Sequence, residues 1–285
     1  MKALITGAGG QVGRALLAAA PSGWEVVGLD RAGLDIGDET AVLRAVRTHG
    51  PNLIINAAAY TAVDRAETDT DAAVRINAHG PGHLARAAAE ISARLIHIST
   101  DFVFDGAGSE PYRADTPPHP LSVYGSTKLD GEKAALAAHD NVLIVRTAWV
   151  YAADGKNFME TMLRLMGERD RLTVVADQIG SPTHASSLAA ALWTLAGADA
   201  RGILHWTDAG AASWYDFAVA IREEALAAGI PIRATEVLPI RTADYPTPAR
   251  RPSYSLLDKS EAWAITGTAR HWREELRAAI AARGK

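Results

Sequence analysis

The sequence contains no cysteine, and this absence excludes disulfide bonds and thiolate metal sites. No apolar run approaches the length of a membrane-spanning helix, about 20 residues. The apolar stretch in the N-terminal segment MKALITGAGG is too short for a signal peptide, so we expect a cytoplasmic protein. Neither charge dominates, because 29 Lys and Arg stand against 33 Asp and Glu. We therefore expect neither nucleic acid nor an anionic membrane as a partner.

The first half of the sequence alternates short apolar runs with helical patterns. The predicted strands are KALIT (2–6), EVVGLD (25–30), NLIINAA (52–58), RLIHIST (94–100) and NVLIVRTAWV (141–150). The helical patterns between them cover 11–20, 38–50 (with Asp38 as N-cap), 70–92 and 126–139. This order predicts an α/β fold with a doubly wound, Rossmann-like parallel sheet, whose ligand binds at the carboxyl ends of the strands.

The regular alternation of predicted strands and helices ends near residue 151, which indicates that the chain has two parts. We predict a dinucleotide-binding domain over 1–150, taking in part of 184–208, and a smaller C-terminal substrate-binding lobe over 151–285. The stretch YPTPARRP (245–252) is too rich in proline for a continuous helix or a central strand, so we expect an ordered loop there.

A glycine-rich turn joins the first strand to the first helix. In ITGAGGQVG, Gly7, Gly10 and Gly13 allow positive φ and a close approach of backbone amides to a pyrophosphate. An acid, Asp30, ends the second strand, where it can bind the ribose hydroxyls of a dinucleotide. We count Gln11 and Val12 with this cofactor-binding turn; a purely structural turn is the alternative.

The identity of the dinucleotide stays open between NADPH and NADH. Asp30 favours NADH, because a carboxylate repels a 2′-phosphate, whereas Arg31 can pair with that phosphate. Asp35 and Ile36 are candidates for holding the adenine, although Asp35 can equally belong to a turn before the next helix.

A tyrosine and a lysine stand one helical turn apart in SVYGSTK, which places Tyr124 and Lys128 on one face. A nearby ammonium lowers the pKa of a phenol from about 10 and makes it a usable proton donor. The hydroxyl of Thr100, at the end of a predicted strand, can orient a carbonyl beside it. We predict Thr100, Tyr124 and Lys128 as the catalytic residues. The alternative is that Tyr124 only packs on the aliphatic part of Lys128 at the helix surface. The nine histidines form no metal-ligand pattern, and we expect His97 to be packed rather than catalytic.

Several longer segments carry a family resemblance. They are GAGGQVG, NAAAYTAVDRAE (56–67), STDFVFDG, VYGSTKLDGE (123–132), RTAWVYA (146–152), NFMETMLRL (157–165), DQIGSPT (177–183) and YPTPARRP. By these segments the chain resembles the extended short-chain dehydrogenase/reductase family over nearly its whole length. The resemblance implies NADPH- or NADH-dependent reduction of the C4 keto group of dTDP-4-dehydro-β-L-rhamnose to dTDP-β-L-rhamnose.

The same resemblance implies roles for further residues. It supports Thr100, Tyr124 and Lys128 as the catalytic set. It places two more groups around the ligands: Ala57, Ala58, Ala59 and Tyr60 along the cofactor, and Val63, Asp101, Phe102, Trp149 and Arg251 near the sugar nucleotide. From the residues alone, Trp149 can equally be an interior aromatic, and Arg250 competes with Arg251 for a diphosphate.

Other reactions and assemblies stay open to different degrees. Related dehydratases carry a carboxylate after the Thr–Asp pair; Phe102 stands there and disfavours dehydration, while epimerases are excluded less firmly. A reductase of another nucleotide deoxysugar and a non-catalytic, dinucleotide-binding regulatory subunit are the remaining alternatives. Some members of the family join subunits through Mg²⁺, but Ala15 and Ser186 stand at the corresponding positions, so we expect a monomer without a metal.

Overall fold

The structure is a computed structural model that describes residues 1–283. Its strands, in chain order, are β1 (Lys2–Thr6), β2 (Glu25–Leu29), β3 (Leu53–Asn56), β4 (Arg94–Thr100), β5 (Val142–Thr147), β6 (Val150–Tyr151), β7 (Arg171–Val175), β8 (Ile179–Gly180), β9 (Thr183–His184), β10 (Gly202–His205), β11 (Ala212–Ser213) and β12 (Glu236–Ile240). The last two residues of the predicted lobe, 284 and 285, lie outside the described part.

Eleven helices surround these strands within residues 1–283. They are α1 (Gln11–Ala18), α2 (Glu39–His49), α3 (Val63–Ala66), α4 (Thr70–Ala73), α5 (Gly80–Glu90), α6 (Val123–Ala138), α7 (Phe158–Glu168), α8 (Ala185–Gly197), α9 (Trp214–Ala227), α10 (Ser260–Thr266) and α11 (Trp272–Ala282). A π-helical segment, Val74–His79, joins α4 to α5, and 3-10 turns cover Asp101–Val103 and Thr242–Asp244. No helix of the described chain has both the length and the apolar character needed to cross a bilayer.

The main sheet is parallel throughout, with the strand order β10-β5-β4-β3-β1-β2. Apolar side chains fill both of its faces, because α1 and α8 cover one and α2, α5 and α6 cover the other. Strands buried on two sides carry continuous apolar runs, as β3 and β5 do. The predicted doubly wound α/β fold is confirmed.

The sixth strand of the sheet comes from the second half of the chain. Strand β10 pairs with β5, and α8 packs on α1, where the indole of Trp193 donates to the Leu16 carbonyl at 3.0 Å. A separate apolar core lies between α7, α9 and α11, beside a parallel pair of β7 and β12 that the sequence did not predict. The exact division into two domains stays a prediction.

The helix that carries Tyr124 begins three residues before its predicted start. Ser122 caps it, since its hydroxyl accepts from the Gly125 amide at 3.2 Å, and Glu67 accepts from the Val123 amide at 2.9 Å. A carboxylate near the N-terminus of a helix also interacts favourably with the helix dipole. Tyr124 therefore lies inside a capped first turn rather than in the approach to a helix.

A fully buried ion pair fastens α6 to the sheet. Arg146 of β5 and Glu132 of α6 bond through several atoms, the shortest distance being 2.7 Å from Nη2 to Oε2, and each side chain is only 2% exposed. Ser99 of β4 also donates to Glu132. Such a pair holds its geometry firmly, because separating buried partners leaves an uncompensated charge.

Removing the cation of this pair should destabilise the fold strongly. We expect Arg146→Met to lower the free energy of unfolding by about 3–5 kcal/mol, because Glu132 is left buried and unpaired. The matched control is Arg47→Met, which breaks an exposed 2.7 Å pair with Glu90 and should cost about 0–1 kcal/mol. Chemical unfolding measures both, and equal losses would contradict the assigned role of the buried pair.

Candidate active site

A cleft of about 860 Å³ opens at the carboxyl ends of β1, β2 and β3. This is the position at which doubly wound sheets bind nucleotides. Ten residues predicted to hold the cofactor line it together: Gly7, Gly10, Asp30, Arg31, Asp35, Ile36, Ala57, Ala58, Ala59 and Tyr60. Their roles toward a cofactor remain predictions, but the structure brings them to one place.

The glycine turn leaves space that a side chain would fill. Gly7 has φ +69°, and a Cβ built on it would lie 2.6 Å from the Ala58 nitrogen and 2.7 Å from the Ala57 carbonyl. A Cβ on Gly13 would overlap the carbonyl oxygen of Gly7. Gly10 is the N-cap of α1 and has no side chain to cap it. The first amides of the helix therefore remain free to donate to an anion in the cleft. The turn fits a dinucleotide pyrophosphate.

Three residues counted with the turn do not line the cleft. Gln11 turns toward the second half of the chain, where its Oε1 accepts from Asn157 Nδ2 at 2.9 Å. The side chain of Val12 points from α1 into the apolar core, and Gly13 lies against the backbone of Gly7. Contact of Gln11 and Val12 with a cofactor stays a prediction.

The acid and the base at the end of β2 are differently engaged. Asp30 Oδ1 accepts from the amides of Ala32 and Gly33 at 3.0 and 2.9 Å, which fixes the carboxylate as part of the turn. Arg31 is exposed beside it, lines the cleft and makes no side-chain hydrogen bond or ion pair with residues 1–283. The structure thus offers one cation at this edge that is free to meet an anion.

Asp35 serves the protein's own backbone and Arg75. Its two oxygens accept from the Gly37 amide at 2.9 Å and from Arg75 Nη1 at 2.7 Å. Burial raises the pKa of Asp35, but these hydrogen bonds and the guanidinium outweigh it, and the pKa lies below its ordinary value. Ile36 is buried beside it against Gly80. Whether this pair holds adenine stays a prediction.

Tyr60 is positioned by a residue that the sequence did not single out. Asn77 accepts from the Tyr60 amide at 2.8 Å and donates to the Tyr60 carbonyl at 3.0 Å, so it clamps that backbone on both sides. Asn77 lies in the π-helical segment, and such segments are frequent at functional sites. Asn77 also donates to Thr127 of α6 at 3.4 Å, which links the cofactor cleft to the helix of Tyr124.

The predicted catalytic residues converge where β4 ends. A Cβ on Gly125 would overlap the Phe102 carbonyl, and this close contact sets the first turn of α6 against the 3-10 turn after β4. Thr100 donates to Asp101 Oδ1 at 3.0 Å and accepts from the Phe102 amide at 3.2 Å. The Thr100 hydroxyl lies close enough to Tyr124 to lower its pKa, and Tyr124 packs edge-on against Phe102, with ring centroids 5.5 Å apart.

The expected lowering of the tyrosine pKa is wrong for this structure. Burial raises the pKa of Tyr124 to about 12; the neighbouring Thr100 hydroxyl lowers it, and the carboxylate of Asp101 raises it further. Lys128 contributes no resolved effect, because its amine points toward β4, where it donates to the Ile98 carbonyl at 2.7 Å. The phenol is therefore firmly protonated.

Lys128 is itself an unusual buried amine. It is only 2% exposed, and burial lowers its pKa to about 8, although Glu132 acts in the opposite direction. Its Nζ lies 3.2 Å from Nε2 of His97. The expectation that His97 is packed holds, since it is fully buried, but it packs directly on a predicted catalytic residue.

Trp149 has a strained backbone and a stacked indole. Its φ of +49° is rare for an aromatic residue and turns the chain sharply after β5. The indole stacks on Trp214 of α9 with centroids 3.6 Å apart and planes 8° apart, and Gly180 leaves room for it, since a Cβ there would lie 2.6 Å from the ring. Trp214 was not predicted, because it lies 65 residues further along the chain.

Asp101 keeps one polar atom without a partner. Its side chain is 1% exposed, Oδ1 accepts from Thr100, and Oδ2 makes no hydrogen bond within residues 1–283. Burial raises the pKa of Asp101 to about 6, while the nearby Ser255 hydroxyl and the hydrogen bond from Thr100 lower it. Such an atom next to Tyr124 is suited to a hydroxyl of a bound ligand.

The second predicted ligand region is a cleft of about 420 Å³ beside the proline-rich loop. As its prolines predict, residues 245–252 form neither helix nor strand. Arg251 lines this cleft but forks onto Asp64, with Nη1 and Nη2 at 3.0 and 2.7 Å from its oxygens, next to Val63 in α3. Arg250 lines the same cleft, is exposed and makes no side-chain hydrogen bond or ion pair with the described chain.

Comparison with known proteins gives consistent results over the whole chain. The family model for the RmlD substrate binding domain matches residues 1–284. A dTDP-4-dehydrorhamnose reductase of Mycobacterium tuberculosis is 46% identical over an alignment of 288 positions, which covers 98% of this chain and 92% of that protein.

Two similar solved structures carry the same enzyme name as the sequence relative. A crystal structure of a dTDP-4-dehydrorhamnose reductase from Clostridium acetobutylicum has a TM-score of 0.93 at 41% identity, with 98% of each chain covered. The enzyme of the same name from Bacillus anthracis, crystallised in complex with NADP, has a TM-score of 0.92 at 36% identity, again with 98% of each chain covered.

The close approach at Gly7 can be tested by substitution. We expect Gly7→Ala to weaken the binding of NADPH and NADH by about tenfold or more, because the Cβ displaces the turn from Ala57 and Ala58. Gly50→Ala is the matched control: Gly50 has φ +53° but no atom within 4 Å of a built Cβ, so it shares only the backbone strain of about 1 kcal/mol. Fluorescence titration measures binding, and equal effects of the two changes would contradict the assignment.

Proposed function

Since the chain belongs to the family of the RmlD substrate binding domain and has the extended short-chain dehydrogenase/reductase fold, we propose that it is a dTDP-4-dehydrorhamnose reductase. It reduces the C4 keto group of dTDP-4-dehydro-β-L-rhamnose to give dTDP-β-L-rhamnose, the last step of dTDP-L-rhamnose synthesis. The observation that carries this proposal is the meeting of Thr100, Tyr124 and Lys128 at the end of β4.

The residues of the first cleft fit a nicotinamide dinucleotide, NADPH or NADH. Gly7 and Gly10 leave the amides of α1 open to the pyrophosphate, and Ala57 and Ala58 present small side chains beside it. When bound, this cofactor supplies the hydride that adds to C4 and is itself oxidised. The remaining chemistry, a proton for the forming alkoxide oxygen, belongs to the protein.

Tyr124 is the proton donor in this proposal. With a pKa of about 12 the phenol is protonated at neutral pH, and the O4 alkoxide is a stronger base that can take this proton as hydride reaches C4. Thr100, beside Tyr124, holds the carbonyl oxygen in place. Lys128, one helical turn further on, would hold the ribose of the nicotinamide.

The sugar nucleotide is proposed to occupy the space between the two clefts. Asp101 offers its unpartnered Oδ2 to a sugar hydroxyl, and Val63, Phe102 and Trp149 bound the sugar with apolar surface. For the diphosphate, the geometry supports Arg250 more than Arg251, because Asp64 already neutralises Arg251. This reverses the preference that the resemblance implied.

Phe102 decides against dehydration as the reaction. A dehydratase needs a second acid–base group beside the Thr–Asp pair, and this position holds a phenyl ring packed on Tyr124. A reductase of another deoxysugar nucleotide differs only in the stereochemistry of the product. A regulatory subunit would bind the dinucleotide without turnover. The experiment below distinguishes both of these alternatives from the proposed reductase.

We further propose that the enzyme acts in the cytoplasm as a monomer, without nucleic acid, a membrane or a metal as partner. Its substrates are soluble nucleotide derivatives, and Ala15 and Ser186 lack the carboxylates of a Mg²⁺ bridge. Residues 1–283 contain no group of three or more His, Asp or Glu placed to bind a metal ion. Light scattering tests this proposal: the mass should be that of a monomer both with Mg²⁺ and with EDTA.

Replacing the proton donor should abolish most of the turnover. We expect Tyr124→Phe to lower kcat with dTDP-4-dehydrorhamnose by a factor of about 100 to 10,000, because the alkoxide loses its acid. NADPH oxidation follows the rate, and NMR of the product identifies the sugar. Tyr215→Phe, which removes a phenol from α9, is the control and should retain full activity.

Three outcomes of that experiment bear on the proposal. Near-full turnover of Tyr124→Phe would show that another group donates the proton. A product other than dTDP-β-L-rhamnose would assign the chain to a different deoxysugar. Dinucleotide binding without oxidation on any 4-keto sugar nucleotide would favour the regulatory subunit.

Arg31 should set the preference for NADPH. We expect Arg31→Ala to raise the KM for NADPH by about tenfold, because the 2′-phosphate loses its only free cation at this edge of the described cleft, and to leave the KM for NADH unchanged. Arg44→Ala, an exposed position on α2, is the control. A parallel rise for both cofactors would contradict recognition of the phosphate by Arg31.

A further inference from the structure

An arginine and an aspartate form an ion pair inside the first cleft. Nη1 of Arg75 lies 2.7 Å from Oδ2 of Asp35, and both residues line the cleft. Arg75 belongs to the π-helical segment, whereas Asp35 lies in the turn between β2 and α2. No sequence pattern indicated Arg75, because its partner stands 40 positions earlier in the chain. The cofactor roles assigned so far make no use of this arginine.

The backbone of Gly37 gives the arginine its place. A Cβ built on Gly37 would overlap the Arg75 guanidinium and lie 2.8 Å from its Cγ and 3.0 Å from its Cζ. The arginine side chain therefore lies across Gly37 from its middle to its end. The amide of the same glycine donates to Asp35 Oδ1 at 2.9 Å. One glycine thus accommodates the arginine and holds the aspartate.

The Asp35 carboxylate is held at both of its oxygens. Oδ1 accepts from the Gly37 amide and Oδ2 accepts from Arg75, so the group cannot rotate without losing one of these hydrogen bonds. Burial raises the pKa of Asp35, but the hydrogen bonds from Arg75 and Gly37 outweigh it, and the carboxylate is ionised at neutral pH. An ionised carboxylate only accepts hydrogen bonds, and it has about four positions for them. The positions that remain open therefore require a donor on the ligand.

Apolar side chains accompany this fixed acceptor. Leu34, Ala58 and Ile76 line the same cleft. All three lie in or against the apolar cluster that contains Ile36, the residue after Asp35. Apolar walls with one fixed polar group suit a flat ring that carries a hydrogen-bond donor on its edge. Adenine is such a ring, and its exocyclic amino group is the donor.

The place of Asp35 in the sheet selects the adenine end of a dinucleotide rather than the nicotinamide end. Asp35 follows β2, the edge strand, whereas Tyr124 meets the end of β4. Strands β3 and β1 separate the two. Under the proposed function the nicotinamide lies beside Tyr124, so the adenine lies at the far end of the cleft, beside Asp35.

We propose that Arg75 is a positioning residue that makes the first cleft select a 6-aminopurine over a 6-oxopurine. The inference rests on the proposed function for the direction in which the dinucleotide lies. Arg75 holds the Asp35 carboxylate so that one of its open positions meets the 6-amino group. A 6-oxo group would set oxygen against oxygen, with no hydrogen between them. The ring nitrogen N1 of hypoxanthine carries a hydrogen, but a carboxylate held at both oxygens cannot turn to reach it.

The two arginines of the cleft then have different tasks. Arg31 has no side-chain partner among residues 1–283 and is free for a 2′-phosphate, whereas Arg75 is committed to Asp35. Because NADPH and NADH both carry adenine, the loss of Arg75 affects both cofactors alike. The loss of Arg31 affects NADPH alone. The two effects are therefore separable in one binding measurement.

Fluorescence titration with NADH and with its hypoxanthine analogue, deamino-NADH, tests the proposal in the absence of any sugar nucleotide. We expect the wild-type protein to bind NADH about tenfold tighter than deamino-NADH, because the fixed carboxylate meets a donor only on adenine. Arg75→Met should weaken NADH binding and reduce this preference to about twofold or less. Equal affinities in the wild type, or a preference that survives Arg75→Met, would overturn the proposal.

Two further variants separate positioning from a general disturbance of the surface. Arg86→Met breaks a pair with Glu39 that has the same 2.7 Å distance and a similar exposure, 48% and 47% against 40% and 39%, and it should keep the preference. Gly37→Ala retains Arg75 but displaces it, so it should lower the preference as Arg75→Met does. Loss of the preference in Arg86→Met, or its full retention in Gly37→Ala, would contradict the role of Arg75.

Failure of this proposal differs from failure of the proposed function. If Arg75→Met removes the preference for NADH but no 4-keto sugar nucleotide is reduced, the proposed function is wrong and the role of Arg75 stands. If NADH drives the reduction but Arg75→Met keeps the preference, the role of Arg75 is wrong and the proposed function stands. Should Arg75→Met not fold, the wild-type preference and the Gly37→Ala variant still decide the proposal.

Discussion

The seating of α6 on the end of the sheet is the constraint on which the site depends. Two glycines make it possible: a Cβ on Gly125 would overlap the Phe102 carbonyl, and one on Gly131 would overlap the Asn77 carbonyl. The buried pair of Glu132 with Arg146 then fixes the helix to β5. Because the helix cannot shift along the sheet, Tyr124 meets the end of β4 while the lysine one turn later reaches under it. Backbone contact sets the position, and the ion pair holds it.

Local patterns were enough to predict the fold and half of the site. The apolar runs of β1 and β4 match their predicted bounds, and the glycine turn lies between β1 and α1 as its spacing requires. These features depend on neighbours within one or two turns of chain. The sequence also indicated Thr100, Tyr124 and Lys128, since a strand end and a helical spacing together imply convergence at one edge of a parallel sheet.

The residues that were missed depend on partners far along the chain. Trp214 lies against Trp149, Asp64 neutralises Arg251 from 187 positions away, and Asn77 clamps Tyr60 from within a π-helical segment that no periodicity indicates. A sequence shows that an arginine is present but not which carboxylate reaches it. The diphosphate was therefore assigned to Arg251, and only the geometry showed Arg250 to be the unpaired cation.

The electrostatics of the site follow from which buried groups can give up a proton. Behind the site, one carboxylate, Glu132, faces two basic side chains, Arg146 and Lys128. A second buried cation without a partner would cost several kcal/mol, in the range of about 3–5. Arginine stays charged at every accessible pH, whereas a buried lysine can become neutral. The carboxylate therefore pairs with Arg146, and burial lowers the pKa of the lysine to about 8. Distance alone, one helical turn from Tyr124, predicted an ammonium acting on a phenol; in the structure the amine donates to the Ile98 carbonyl of β4 and has no resolved effect on the pKa of Tyr124.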